Sequence, residues 1–277
     1  MGPADIPAAH VQRHHTLLNQ FGNGWSFRLL MYLLRTRVRS RIIASETRVF
    51  ATVPENAAIL KTRYGLPEDR IGSSPIGTDA TLFRFDEEAG AGLRRSLGLP
   101  DREFILLYTG KLNTRKNPHL ILEALARVED RIEEPLHLCF VGQGDPDYLD
   151  RHFNVTFRNE RIRIHRFEAV KMDELFAWYS MADLAVFPDE NTLSALDAQA
   201  CRLPVVMKDD LTNAERLRFG GVTYEPGNLS DLGEKIRELL ADPDRLRALG
   251  RAGEGHVLSK YDYRAIVRDM EIELGII

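Results

Sequence analysis

The chain has 277 residues, 44% hydrophobic and 28% charged, with 20 glycines and 13 prolines; this is a globular composition with length for one or two domains of about 150 residues, and it excludes collagen-like and disordered chains. Its 37 lysines and arginines against 41 aspartates and glutamates leave a formal net charge of −4, which argues against a surface built to neutralise phosphodiester backbones, so no nucleic-acid partner is expected. Cys139 and Cys201 lie among apolar residues; two such thiols cannot make a disulfide framework and read as small buried hydrophobes in a reducing compartment.

The first residues, Met-Gly-Pro-Ala-Asp-Ile, lack the charged and apolar regions of a secretion signal, and the early apolar run Leu29 to Leu34 is too short to span a bilayer, so a cytoplasmic location is expected. His10, His14 and His15 have no flanking motif that fixes a register and read as ordinary histidines. Phe27 to Ala44 carries Arg28, Arg35, Arg37, Arg39 and Arg41 and no acidic residue. Interleaved leucines make it a domain helix with a charged outer face, or alternatively a helix for peripheral contact with an anionic membrane. Val49 to Val53 and Ile71 to Pro75 predict strands flanking a helix from Glu55 to Tyr64, and the polar stretch Gly77 to Asp79 places a domain boundary near Asp79. Residues 1–78 hold too few strands to close a doubly wound sheet of their own.

From Phe104 the pattern changes to short β-rich runs alternating with helical periods, which predicts a parallel sheet with crossover helices. The strands expected are Phe104 to Thr109, Leu136 to Val141, Arg161 to His165, Leu184 to Phe187, Pro204 to Val206 and Val222 to Tyr224. Pro118 to Val128 and Lys171 to Met181 read as amphipathic helices over that sheet. The end is helical: a helix from Leu229 to Leu240, a second opened by Asp242-Pro243, and a third over Tyr263 to Leu274.

Two stretches can carry chemistry. Tyr108 to Pro118, Tyr-Thr-Gly-Lys-Leu-Asn-Thr-Arg-Lys-Asn-Pro, leaves a strand and leads into a helix, the place in an open α/β sheet where ligands sit. Lys111 and Lys116 can converge on one diphosphate, with Gly110 beside them and Arg115 as a third cation. Phe187 to Val206 runs from a strand through a polar loop into a helix from about Ser194 to Ala200. There Thr192 and Ser194 offer hydroxyls near free backbone N–H groups. Asp197, one turn in, can accept two hydrogen bonds from a vicinal diol such as ribose.

These residues, with Val-Gly-Gln-Gly at 141–144, Ala182-Asp183 before a strand ending Phe-Pro, and Asp-Ala-Gln-Ala-Cys-Arg-Leu-Pro-Val-Val from Asp197, resemble the C-terminal domain of family 4 retaining glycosyltransferases of GT-B fold. Val53 to Asn56 and Ile71 to Phe83 resemble that family's exit from its N-terminal domain, so the likeness covers roughly residues 48–270. It implies an α/β fold: a partial N-terminal domain over 1–78, a Rossmann-like nucleotide-sugar domain over 79–260, and a helix over 261–277 returning to the N-terminal part. The family's basic pair falls on Lys111 and Lys116 and implies a grip on the donor diphosphate. Its acidic pair falls on Asp189 and Asp197, the first near the donor sugar, with Glu190 as a substitute, and the second at the ribose. Thr192, Leu193 and Ser194 match the segment laid against diphosphate and sugar, and Phe167, within His165 to Val170, lies in the loop that meets the nucleobase.

The activity implied is transfer of a hexose-type sugar from a UDP-sugar or GDP-sugar to the hydroxyl of a glycan, lipid or small molecule. It implies no cofactor and no metal, and the leaving phosphate serves as base. The short N-terminal part also allows a nucleotide-sugar binding module, or a subunit whose partner chain completes the N-terminal domain. His14 or His15 is then a candidate for the family's N-domain histidine. Gly142-Gln-Gly144 followed by Asp147 lacks the third glycine of a dinucleotide fingerprint, and no Walker loop or metalloprotease histidine pair occurs.

Overall fold

The computed structural model describes residues 25–45, 48–189 and 192–277; His10, His14, His15 and Glu190 lie outside them. The described residues divide into two compact units, one within 77–265 and one of those up to residue 76 together with 266–277.

In the smaller unit, α1 (Trp25–Ala44) precedes β1 (Val49–Ala51), α2 (Pro54–Tyr64) and β2 (Ile71–Ser73). The two strands pair in parallel, Val49 opposite Ile71. Pro54 takes the first position of α2, where its missing N–H has no helical partner to lose. Gly65, at φ 65°, ends the helix with its N–H on the Leu60 carbonyl. Strand β1 therefore stops before the Val53 expected for it. Ala51, Leu60, Tyr64 and Leu66 form this unit's core, joined by Val38 of α1. The chain's last segment belongs to it: Arg48 donates to the Glu273 carbonyl at 2.8 Å and pairs with the Glu273 carboxylate at 3.2 Å. Among the described residues no helix is long and apolar enough to cross a membrane.

The larger unit begins with α3 (Glu87–Ser96), capped by the Asp86 carboxylate. There follow β3 (Phe104–Thr109), α4 (His119–Ala126), β4 (Leu136–Val141), α5 (Pro146–His152), β5 (Ile162–Phe167) and α6 (Leu175–Met181). Beyond them lie β6 (Leu184–Phe187), α7 (Ser194–Ala200), β7 (Val205–Lys208), α8 (Leu211–Arg216) and β8 (Gly221–Tyr224). Helices α9 (Leu229–Leu240) and α10 (Pro243–Lys260) complete this unit, and most of α11 (Tyr263–Glu273) belongs to the smaller one.

The strands form one parallel sheet in the order β5-β4-β3-β6-β7-β8. Continuous apolar runs such as Ile105 to Leu107 and Leu184 to Val186 are fully buried, as strands covered on both faces must be. Each large side chain of this kind contributes roughly 1.5–3 kcal/mol by leaving water. Cys139 and Cys201 are buried and unpaired. Arg94 of α3 meets Asp183, just before β6, at 2.7 Å, and the same carboxylate oxygen accepts the Ile105 N–H at 2.9 Å. That half-buried pair fixes α3 beside the start of β3.

The chain builds β3, β4 and β5 outward on one side, then returns to place β6 against the other edge of β3. Strand order thus reverses between β3 and β6, and the carboxyl ends of strands at such a reversal are the usual ligand position of an open α/β sheet.

Candidate functional site at the sheet switch point

The ladder between β3 and β4 continues into the loops beyond them. Gly110 donates its N–H to the Val141 carbonyl at 3.0 Å, Leu112 to Gln143 at 2.9 Å, and Asp145 back to Leu112 at 3.0 Å. This close approach depends on Gly142, at φ 152°, where an added Cβ would lie 1.9 Å from the Gly110 carbonyl oxygen. The backbone of Lys111 is held in addition by the Tyr108 hydroxyl, which donates to its carbonyl at 3.1 Å. The Lys111 side chain is exposed.

The next turn is tied by Asn113, whose Oδ1 accepts the N–H groups of Arg115 and Lys116, both at 3.1 Å. Asn117 then adopts a left-handed conformation, φ 46°, which short amide side chains tolerate better than most. Its side-chain amide donates to Asp189 Oδ2 at 2.6 Å, and Lys208 Nζ lies 3.2 Å from Asp189 Oδ1. Asp189 follows β6, Lys208 ends β7 and Asn117 closes the loop between β3 and α4, so two strand ends and that loop meet at one carboxylate. The preceding Pro188 carbonyl accepts the Tyr224 hydroxyl, whose pKa burial pushes up to about 12, with Asp189 adding to the shift.

Thr192 Oγ1 accepts the Ser194 N–H at 3.3 Å just before α7, while Leu193 is exposed. The hydroxyl of the buried Tyr179 lies 2.9 Å from Thr109 Oγ1. Asp197 Oδ1 accepts the hydroxyl of Thr78 at 2.5 Å. Thr78 is itself buried, its N–H on the Tyr261 carbonyl and its own carbonyl accepting from Tyr263. Burial pushes the Asp197 pKa up to about 6 against the opposing hydrogen bond from Thr78. Asp197 Oδ2 has no hydrogen-bond partner among the described residues.

Gly110, Lys111, Arg115 and Lys116 thus share one braced loop, and Asn117 joins that loop to Asp189. Phe167 departs from expectation. It is the last residue of β5, because pairing with β4 runs on to Val141 opposite Phe167. Its ring packs on Trp178, centroids 4.9 Å apart, and on His165 at 6.3 Å. Sequence reading missed Asn117, Lys208 and Thr78 as site residues. An Asn-Pro step after a strand is a turn signal, and a lysine ending the apolar run Val-Val-Met marks a strand end facing a crevice.

Residues 92–256 match the family of group 1 glycosyl transferases. The chain belongs to that family. It is 33% identical over 228 residues to D-inositol 3-phosphate glycosyltransferase 1 of Catenulispora acidiphila, covering 77% of this chain and 53% of that protein. The chain therefore spans about half the length of the curated relatives it matches. In fold it is similar to sucrose-phosphate synthase from Thermosynechococcus elongatus, with a TM-score of 0.68 at 23% identity, over 89% of this chain and 60% of that one. It is also similar to Anabaena HepE solved with UDP and glucose, TM-score 0.67 at 17% identity, over 88% and 67%. The α/β fold is that of the GT-B glycosyltransferases, with a Rossmann-like parallel sheet.

Proposed function

We propose that this chain binds a nucleotide-diphosphate sugar at the crevice between β3 and β6 and transfers its hexose-type sugar, with retention, to an acceptor hydroxyl, as the likeness to family 4 implies. The observation that carries this reading is the hydrogen bond from Asn117 to Asp189, which sets the lysine-bearing loop against the loop that leads into α7. Lys111 and Lys116, with Arg115 as a third cation, take the diphosphate; lysine binds phosphate as a point charge and gives less orientation than an arginine fork. Negative charge that develops on the leaving diphosphate is stabilised by these fixed cations. Asp189, tied to Asn117 and paired with Lys208, does not repel that anion. It stands on the donor-sugar side, with Thr192, Leu193 and Ser194 between it and Asp197. Asp197 Oδ2 accepts the ribose diol. Neither aspartate is assigned as a nucleophile; the leaving phosphate oxygen takes the acceptor's proton.

A UDP-sugar is the first donor to try, since HepE, similar in fold, was solved with UDP and glucose, and a GDP-sugar is the alternative. Calorimetric titration with UDP, GDP and ADP, followed by incubation with the matching glucose donors, tests the reading. Binding of one diphosphate with sugar release or transfer is expected. Binding without turnover supports a nucleotide-sugar binding module, and no binding of any of the three overturns the proposal.

Separately, Leu29, Tyr32 and Leu33 of α1 are exposed, as are Arg37, Arg39 and Arg41. This supports peripheral contact with an anionic lipid surface, which co-sedimentation with phosphatidylserine vesicles at low and high salt tests.

A further inference from the structure

We propose that His119, Glu123 and His152 form a binding site for a divalent transition-metal ion, Zn2+ being the cation their chemistry favours, which clamps α4 to α5 behind the lysine-bearing loop. His119 and Glu123 stand four residues apart on α4, a spacing that puts both side chains on one helix face, and His119 Nε2 lies 3.7 Å from Glu123 Oε1. His152 ends α5 and brings its ring to within 4.0 Å of the His119 ring, centroid to centroid. One donor atom from each of the three residues lies within 4.8 Å of the others. Tetrahedral zinc with bonds of about 2.0–2.1 Å needs donors about 3.3 Å apart. The exposed Glu123 side chain and the half-buried His152 ring need close on the metal by little more than an ångström.

Two imidazoles and a carboxylate are a mixed nitrogen and oxygen set that suits zinc better than magnesium or calcium, which prefer oxygen alone. The three also leave a fourth position open. All three residues line a cavity of about 230 Å3 that Arg151 and Val155 also line, with room for a water or an exchangeable ligand. Glu129 lines the same cavity but is committed to Arg158 and to the Arg158 and Asn159 N–H groups.

Support for the first ligand is already built. Tyr148 Oη lies 2.6 Å from His119 Nδ1 and also accepts the His119 backbone N–H at 3.3 Å. With the Nδ1 proton directed at Tyr148, the Nε2 atom, 3.7 Å from Glu123 Oε1, keeps its lone pair for a metal, the outer-shell arrangement that metal-bound histidines use. Tyr148 is buried, and its position on α5 is set by Asp145, whose Oδ1 accepts the Asp147 and Tyr148 N–H groups. A cation here joins the first turn of α4, two residues beyond Asn117, to the last turn of α5.

The test is titration of the full chain, freed of metal, with Co2+ followed by its visible d–d absorption, and with Zn2+ by calorimetry. One ion per chain with a four-coordinate cobalt spectrum is expected, and Zn2+ should displace the cobalt. Glu123→Gln, at an exposed position, and His152→Asn should abolish the cobalt band at concentrations that saturate the parent. Tyr148→Phe should weaken binding by about 10–100-fold while keeping the spectrum. On Zn2+ addition, amide exchange should slow in residues 119–126 and 146–152 of the parent alone. The absence of a one-to-one complex overturns the proposal, as does binding that survives both Glu123→Gln and His152→Asn.

Discussion

Asn117 and Asp189, 72 residues apart, are joined by a 2.6 Å hydrogen bond across the point where strand order reverses. One residue leaves β3 in a left-handed turn and the other leaves β6, so the bond fixes the mouth of the crevice from both sides. It also ties the loop that carries Lys111 and Lys116 to the segment that follows β6.

Asn117→Gly keeps the left-handed backbone and removes the amide. Loss of one hydrogen bond to a charged acceptor costs about 1.5–3 kcal/mol. We expect the melting temperature to fall by roughly 3–10 °C, and nucleotide diphosphate affinity to fall with it as the lysine-bearing loop loses its tether to Asp189. Calorimetry and thermal unfolding on the same preparation check this.

Gly142→Ala puts a methyl group 1.9 Å from the Gly110 carbonyl oxygen at φ 152°. The β3 and β4 loops must separate or the turn must deform, at roughly 2–4 kcal/mol. Urea unfolding should show a lowered midpoint with an unchanged slope, and nucleotide binding should weaken with it.

Asp197 carries a pKa of about 6 in the folded chain against an ordinary 3.8. Between those values the folded state holds the proton more tightly than the unfolded state. Stability therefore falls as pH rises through that window and stays at the lower level above it. Asp197→Asn keeps an acceptor for Thr78 and removes the titration, so it should stabilise the chain by roughly 1–3 kcal/mol near neutral pH and hardly at all near pH 4. The same substitution should weaken UDP more than its 2′,3′-dideoxy analogue. Equal losses would remove the ribose contact. In the parent, UDP binding should strengthen as pH rises through about 6.

Much of the larger unit was legible because its central strands are buried on both faces. Phe104–Thr109, Leu136–Val141 and Leu184–Phe187 run as expected, since continuous apolar runs mark both their ends. The edge strand β5, Ile-Arg-Ile-His-Arg-Phe, is half polar; only its pairing with β4 shows that it reaches Phe167, beyond the expected His165. Strand β7 likewise runs past Val206 to Lys208, because its last side chain turns to Asp189 and not into the core. Helix α3 was not recognised. Its glycines weaken the helical signal, yet at Gly90 a Cβ would lie 2.7 Å from the Ser180 backbone, so close packing on α6 requires the residue that hides the helix. In the site, Lys111, Lys116, Asp189 and Asp197 stood out as charges, whereas Asn117, Lys208 and Thr78 act through contacts with Asp189 and Asp197 that are distant in sequence.

The central claim, that Lys116 grips the donor diphosphate, is tested most directly by calorimetric titration of the parent and of Lys116→Ala with UDP and with uridine. Loss of a charge-assisted contact should weaken UDP by about 10–100-fold and leave uridine affinity unchanged. Equal weakening of both ligands, or no weakening of UDP, would contradict it.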